Sequence, residues 1–590
     1  SFPTRRSSDL RVTVPRAYML EALATPEAQA ITGRDARLLN SFEYDFLLED
    51  LKTSTIPPKR LSEMMKFFNR QFSELRDFEE DWLYTVEERE LYELIENCLG
   101  FMRGIISSEL AGLFVRVAQG GAAKQVPYVF ADDFRTLSRG SQIALSMLAS
   151  ARLTVTDNPL GVLKVFEDYP YAEGLDELEE ENVDLETVTL TETHCSAAGY
   201  AAADKLLHAA AVPMVWADDL NMAGWNESAA QQAKGIKDVQ LPAFAGGGAQ
   251  TVDRADYDTP QEEFLGVADY VAARIAEGCA PGDIVVAGTQ RMWQRNIGIA
   301  LSNKGIPVAE QPAGRAFVGD IRDFAYCDAH QVYTALALLA DPSDCVAWRS
   351  WLGFGDYLTN SNGMKLLRER AALGGKALDA ALEMLPTLAE NATLSEGKLS
   401  CERMQAAVER CKELYERCAG LAGSALLQEV VAFVLGEDAK MPALITKLVG
   451  PVGGADQSLL SARVFVERAK KRLQYPSCSP EAVRVIPYDQ VIGVAPKVLV
   501  VPGFVNGFMP KHDFLDPSEL TQTKREQRRG EDLLRAVRVF SSATERIAVS
   551  TFARADIEVA ERTRIYMDRI GLLDGRRVSY TQPSILLEYL

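Results

Sequence analysis

Aspartate side chains follow two short apolar segments of the chain. Asp132 and Asp133 come directly after VPYVFA (126–131), and Asp157 follows ARLTVT (151–156). Both segments are rich in β-forming residues and a helical pattern lies between them, which predicts a β-α-β unit with parallel strands. Because ligands bind at the carboxyl ends of parallel strands, these carboxylates are candidates for a metal site. The competing interpretation is structural, with the same side chains acting as helix caps.

Cysteine and histidine offer fewer candidates. The chain has nine Cys, four His and no C-x-x-C pair, which gives a zinc site little support. Cys401, Cys411 and Cys418 could hold an iron–sulfur cluster, but thiols along one helix are the favoured interpretation. His194 and Cys195 are adjacent on a predicted strand, where successive side chains point to opposite faces, so a Cys–His catalytic pair is disfavoured. Dispersed thiols without a secretory segment predict a reduced, cytoplasmic protein.

Two basic clusters are candidate contacts with nucleic-acid phosphates. Arg528 and Arg529 lie in a helical run that extends to Arg538, and Lys470 and Lys471 lie in a second run. The chain carries 63 basic and 83 acidic residues, a net charge of −20. This balance excludes nucleic-acid binding by bulk charge, so DNA would need a local basic groove. Both runs are also typical of solvated helix faces, and acidic neighbours dilute the first.

The composition is that of an ordinary globular protein with several units. Of 590 residues, 47% are hydrophobic and 25% are charged, and the length suggests about four structural units. Apolar runs such as Val498–Pro502 are too short to cross a bilayer, so no membrane partner is expected.

The periodicity of apolar residues alternates along the chain between helical and strand-like. Helical spacing dominates 40–120, including 59–79, and returns over 320–475. A parallel-sheet pattern is expected at 126–131 and 151–156, with further strands at 283–287, after 305–308, at 483–486, at 497–501 and, as the last clear one, at 547–551. The fold class is therefore α/β, interrupted by two helical blocks.

In this order, the segments resemble the UvrD/Rep family of superfamily 1 DNA helicases. YVFADDFRTLSRGSQ (128–142) is similar to the family's Walker B segment and the helix after it. Further likenesses are LTETHCS (190–196), DPSDCVAWRSWL (341–352), the segment 483–510 and the final motif over 532–550. The resemblance implies two RecA-like parallel-sheet motor domains, each with a helical insertion. The first would span 11–187 with its insertion at 40–120; the second would combine 188–310 with 480–590, around an insertion at 311–479.

The resemblance also implies roles for individual residues. Asp132 would bind Mg²⁺, Asp133 would position the attacking water, and Asp157 and Gly493 would contact the nucleotide. ATP and Mg²⁺ are the implied cofactors, and single-stranded or partly duplex DNA is the implied partner. A likeness to the AddB-type subunit adds a helicase–nuclease partner.

The sequence departs from the family pattern at the residues that hydrolyse ATP. It has no G-x-x-x-x-G-K-[ST] loop, and Asp133 stands where the family has Glu. Leu160 replaces the Gln that contacts the γ-phosphate, and Cys195 and Ser542 replace two arginines. Loss of such an arginine typically costs about 10³–10⁵ in turnover. The departures favour an impaired ATPase that serves as a DNA-binding or scaffold subunit in repair or recombination.

Two alternatives remain open at this point. The chain could be an active ATP-dependent DNA helicase whose phosphate-binding loop lies upstream of residue 11, or a non-enzymatic α/β interaction module. The segment 1–10, SFPTRRSSDL, looks like a translated sequencing adapter, so the natural N-terminus is expected to be missing.

Overall fold

The computed structural model describes most of the chain. The described residues are 11–52, 56–158, 167–181, 185–211, 241–309, 317, 319–321, 327–392, 395–450, 452, 459–474, 481–491, 493–511 and 522–590. The fold is mixed α/β and divides into two compact units. Unit 1 comprises Ser1–Ala131, Leu137–Val155 and Pro312–Pro476; unit 2 comprises Asp132–Thr136, Thr156–Gln311 and Ser477–Leu590.

The helices of the described residues are numbered along the chain. They are α1 Pro15–Leu23, α2 Pro26–Thr32, α3 Ser41–Asp50, α4 Pro58–Ser73, α5 Val86–Met102, α6 Leu110–Gln119, α7 Arg139–Leu148, α8 Gly174–Glu181, α9 Ala197–Ala211, α10 Pro260–Ala276 and α11 Arg291–Asn303. They continue with α12 Asp328–Ala340, α13 Cys345–Gly353, α14 Met364–Ala372, α15 Leu378–Ala381, α16 Leu385–Asn391, α17 Ser395–Cys418, α18 Gly423–Leu435, α19 Ala443–Val449, α20 Ala462–Gln474, α21 Gln522–Phe540 and α22 Ile557–Thr563.

The strands are numbered in the same way. They are β1 Val126–Ala131, β2 Ala149–Val155, β3 Glu192–Thr193, β4 Ala243–Phe244, β5 Asp253–Tyr257, β6 Ile284–Gly288, β7 Arg484–Pro487, β8 Val498–Val501, β9 Arg546–Phe552, β10 Arg554–Asp556, β11 Arg569–Leu573 and β12 Arg576–Tyr580. The α/β class predicted from the sequence is confirmed.

Unit 1 is built largely from helices with one apolar face. In α4, Leu61, Met64, Phe68 and Phe72 follow one another at helical spacing and all are buried. The predicted helical pattern runs to residue 79, but α4 ends at Ser73, so the last part of that prediction is wrong. Leu75 has a left-handed φ of 57°, a conformation that a helix cannot continue.

Unit 2 is organised around a five-stranded sheet in the order β5-β9-β8-β6-β7. Every neighbouring pair in it is parallel, with registers such as Val285↔Leu499 and Val500↔Ala548. Strands β6 and β8 read IVVAG and VLVV and are buried throughout, as expected when helices cover both faces. One core cluster joins the sheet to α9 and α21, and the other joins it to α10 and α11.

Two strand predictions for unit 2 need comment. Val308 and Val483 form a single bridge, and the strand expected after 305–308 lies largely outside the described residues, which break after 309. The segment 547–551 lies within β9, and β10, β12 and β11 form a separate antiparallel sheet after it that the sequence did not predict. The turn joining β11 to β12 is Asp574-Gly575, with φ values of 49° and 78°. Two positive φ values match the two-residue turn that favours a hairpin.

Two further observations concern the predicted position of three thiols on one helix and whether a helix could span a membrane. Cys401, Cys411 and Cys418 all lie on α17 and are buried, as the favoured interpretation predicts. Within the described ranges, no helix is long and apolar enough to cross a membrane.

Candidate functional site

The two aspartate-bearing strand ends lie side by side. Strands β1 and β2 pair in parallel, and the register places Ala131 opposite Val155. Asp132 and Asp133 therefore follow β1 at the same edge where Thr156 and Asp157 follow β2. The parallel pairing predicted from the sequence is confirmed.

Thr156 ties the two strand ends together. Its hydroxyl donates to the Asp132 carboxylate and accepts a hydrogen bond from the Asp133 backbone N–H at 3.2 Å. Its carbonyl accepts from the Phe134 N–H at 2.9 Å. Asp133 has a left-handed φ of 50°, which costs a non-glycine residue about 1–2 kcal/mol and which these bonds hold in place.

Asp133 forms an ion pair with Arg538 of α21. The Nη2–Oδ1 distance is 3.0 Å, and the two side chains are only 14% and 6% exposed, respectively. The pair is therefore largely shielded from solvent, where a charge-assisted hydrogen bond is stronger than at the surface. The carboxylate that would position a water molecule by resemblance is thus engaged with a guanidinium of the same chain.

Asp157 is paired in a similar way. Its Oδ2 lies 2.9 Å from Nε of Arg135, and both side chains are largely buried. Burial raises the pKa of Asp157, and the Arg135 charge opposes that rise. The Asp133 carboxylate does not cap the turn that follows it. The Thr136 N–H donates at 2.9 Å to the backbone carbonyl of Asp133 and not to its side chain.

Gly493 lies beside the same carboxylates. It has a φ of +78°, and a Cβ built on it would be 4.0 Å from Oδ2 of Asp133. The structure therefore brings Asp132, Asp133, Asp157 and Gly493 to one region. Asp132 remains exposed, so its second oxygen could join a hydrated Mg²⁺, which takes one or two carboxylates.

Cys195 and Ser542, at the two positions where the resemblance would place arginines, are close to each other. The Ser196 N–H donates to the Ala543 carbonyl at 2.7 Å, which joins the residues after Cys195 and Ser542. Cys195 is 4% exposed, and burial raises the pKa of its thiol. The Ser542 hydroxyl donates to the Val539 carbonyl at 2.7 Å. Neither side chain offers a positive charge. Leu160, the third departure, lies outside the described residues.

The predicted nucleic-acid contacts differ in exposure. In unit 1, Lys471 is exposed, whereas Lys470 is half-buried. Burial is the main cause that lowers the pKa of Lys470, and the positive charge of Arg37 lowers it further. In unit 2, Arg528 is exposed and pairs with Glu531 at 3.1 Å. Arg529 is buried and donates to the Ala209 carbonyl at 2.7 Å, near the C-terminus of α9. Lys471 and Arg528 are thus the two of the four that reach solvent.

Arg538 was predicted only as a member of the basic run and not as a partner of these carboxylates. In the sequence it belongs to a basic run, and helical periodicity alone does not show that it faces a carboxylate 405 positions earlier. One signal was available: Arg538 is four residues before Ser542, about one helical turn from the position where the family has arginine.

Glu263 was missed as well. It is fully buried, and its carboxylate accepts from Nε1 of Trp293 at 2.8 Å, from the Gly503 N–H at 2.7 Å and from the Ser550 hydroxyl at 2.7 Å. Burial raises its pKa to about 7. A signal existed, because Glu263 is four residues before Val267 and so lies within the apolar stripe of α10.

In the described part of the chain, no group of three or more His, Cys, Asp or Glu side chains is placed to hold a metal ion. No known protein-family model matches the chain, and the comparison with curated proteins returns no match.

Proposed function

We propose that this chain is a helicase-fold protein of DNA repair or recombination that acts as a DNA-binding scaffold subunit with an impaired ATPase. The observation that carries the second part is that Cys195 and Ser542 offer no positive charge at the two positions where the resemblance places arginines, on segments joined by the 2.7 Å hydrogen bond from Ser196 to Ala543. The five-stranded parallel sheet covered by helices on both faces supports a RecA-like domain, as does the parallel β1–β2 pair with its acidic edge.

The ion pair bears directly on hydrolysis. A residue that positions the attacking water must have an oxygen that can accept its hydrogen bond, and Arg538 engages one of the two carboxylate oxygens of Asp133, Oδ1. Asp132 would hold Mg²⁺, which neutralises charge on the phosphates of ATP. Cys195 and Ser542 cannot replace the guanidinium groups that stabilise the transition state.

The first prediction concerns ATP turnover by the purified chain. We expect DNA-stimulated hydrolysis to lie at least about 10³-fold below the 1–10³ s⁻¹ typical of enzymes, because two arginine positions carry no charge and the chain has no G-x-x-x-x-G-K-[ST] loop. Phosphate release would be measured with and without single-stranded DNA. Arg538→Ala should not restore activity, since freeing Asp133 supplies neither guanidinium. Arg554→Ala is the matched control, because Arg554 forms a more exposed pair with Asp258 at 3.4 Å.

DNA binding is tested separately by fluorescence anisotropy of a labelled single strand over a series of salt concentrations. Binding that weakens with salt would support the scaffold function, and Lys471→Glu should weaken it further. Two results would contradict the proposal. Stimulated hydrolysis that is lost in Asp132→Asn would indicate an active helicase, and a lack of any DNA binding would favour an interaction module instead.

A further inference from the structure

The antiparallel sheet of unit 2 has an open edge at β11. The strand order is β10-β12-β11, so β12 covers one side of β11. Among the described residues, no strand pairs with its other side. Such an edge carries a row of backbone donors and acceptors that another strand could use.

The hairpin geometry shows which backbone groups face outward. The two-residue turn Asp574-Gly575 places Leu573 opposite Arg576. The pair that flanks such a turn is hydrogen-bonded, and bonded and non-bonded pairs alternate beyond it. Leu572 and Ile570 therefore occupy non-bonded pairs, so their N–H and C=O groups point to the open edge.

The side chains at this edge are apolar and exposed. Leu572 is 72% exposed and Ile570 is 50% exposed, and both lie on one face of β11 because they are two residues apart. The opposite face carries Arg569, whose guanidinium stacks 4.4 Å from the centre of the Tyr580 ring. Arg576 shares that face, because it lies opposite Leu573 in the register, whereas Arg577 lies opposite Leu572, on the face of the two apolar side chains.

The charge of this corner differs from that of the chain. The β11–β12 hairpin, residues 569–580, contains three Arg and one Asp, a net charge of +2, whereas the whole chain has a net charge of −20. Arg576 and Arg577 are both exposed. A positive edge on an acidic protein favours an acidic partner and disfavours a second copy, which would bring two arginine-rich corners together.

We propose that β11 binds an extended acidic segment of another polypeptide, which adds to the sheet as a fourth strand. Its alternate side chains would be apolar on the face of Ile570 and Leu572, and carboxylates on the face of Arg569 and Arg576. Main-chain hydrogen bonds would supply affinity, and the two faces would supply specificity.

The probe is a labelled peptide, acetyl-Glu-Val-Glu-Val-Glu-Val-Glu-amide, with its lysine–valine counterpart as the charge control. We expect the acidic peptide to bind the full chain at least about tenfold more tightly in fluorescence anisotropy. A peptide N-methylated at the residues whose N–H groups would face β11 should bind about tenfold more weakly than the unmethylated peptide. A peptide N-methylated at the alternate residues should lose less affinity. Equal binding of the acidic and lysine peptides would overturn the proposal.

Leu572→Pro is the sharpest variant. Proline removes the outward N–H of residue 572 but no bond to β12, and proline is tolerated on edge strands. We expect at least about a tenfold loss of peptide affinity, with unchanged circular dichroism. Leu373→Ala, at a 78% exposed leucine of unit 1, should bind like the unmodified chain.

Two results would contradict this assignment of the edge. Unchanged affinity in Leu572→Pro would show that β11 is not the docking strand. Concentration-dependent dimers in light scattering that disappear in Leu572→Pro would show that a second copy, rather than an acidic partner, occupies the edge.

Discussion

Replacing Glu263 by Ala is expected to lower the free energy of unfolding of unit 2 by about 3–5 kcal/mol. The substitution leaves the donors of Trp293, Gly503 and Ser550 without their acceptor at a fully buried position. Each buried donor left unpaired costs about 1–3 kcal/mol, and partial relaxation or entry of water recovers part of the sum. The carboxylate joins α10 to α11, to the residues after β8 and to β9. Its loss should therefore destabilise several strands of the sheet.

Hydrogen exchange of peptides covering β6 and β8 would measure this loss within unit 2 alone. The control is Leu265→Ala on the same helix, where the leucine is 57% exposed and its loss should cost little. Protection of β6 and β8 that is the same in Glu263→Ala as in the unmodified chain would show that the carboxylate does not hold the sheet together.

The same carboxylate predicts a pH dependence. Burial raises the pKa of Glu263 from an ordinary value of 4.5 to about 7, so the folded protein binds this proton more tightly than the unfolded chain does. The resulting stability is fully present below about pH 4.5 and is lost as pH rises through about 7. The free energy of unfolding of the unmodified chain should therefore fall by about 2–3 kcal/mol between pH 5 and pH 8, relative to that of Glu263→Gln. A difference that stays constant over this range would contradict the shift.

The second large effect is expected from Arg349→Leu in unit 1. Arg349 is 1% exposed and binds Asp50 through two nitrogens, Nε at 2.7 Å and Nη2 at 2.8 Å. It also donates to Asn360 at 3.0 Å and lies 4.8 Å from the ring centre of Phe46. Removing it leaves the carboxylate of Asp50 buried without a counter-charge, which typically costs about 3–5 kcal/mol.

The double variant Arg349→Leu with Asp50→Leu separates the charge from the packing. Because it removes both charges, it should recover a large part of the loss, as replacement of a whole buried pair usually does. Exchange of peptides covering α3 and α13 is the measurement. Lys412→Ala serves as a surface control, because Lys412 pairs with Glu409 while both side chains are more than 60% exposed. A cost of Arg349→Leu no greater than that of Lys412→Ala would rule out a structural role for this pair.

Local patterns predicted much of the secondary structure. The spacing of Leu61, Met64 and Phe68 is enough to predict a buried helix face, and the apolar runs of β6 and β8 are typical of strands covered on both sides. The hairpin of β11 and β12 was missed. Its strands are short and largely exposed, so they lack the apolar alternation that marks a strand, and only the Asp574-Gly575 pair signalled the turn.

The sequence by itself determined the β1-α7-β2 unit and the acidic residues at its edge, because strand propensity, helix periodicity and the end of each apolar run are local properties. Only the tertiary structure decided what those acids contact. Asp133 meets Arg538, and Glu263 meets Ser550, across 405 and 287 positions of the chain. Periodicity shows which face of an element is buried, but the partner on that face depends on how distant segments pack, and a single sequence does not encode that packing in any local pattern.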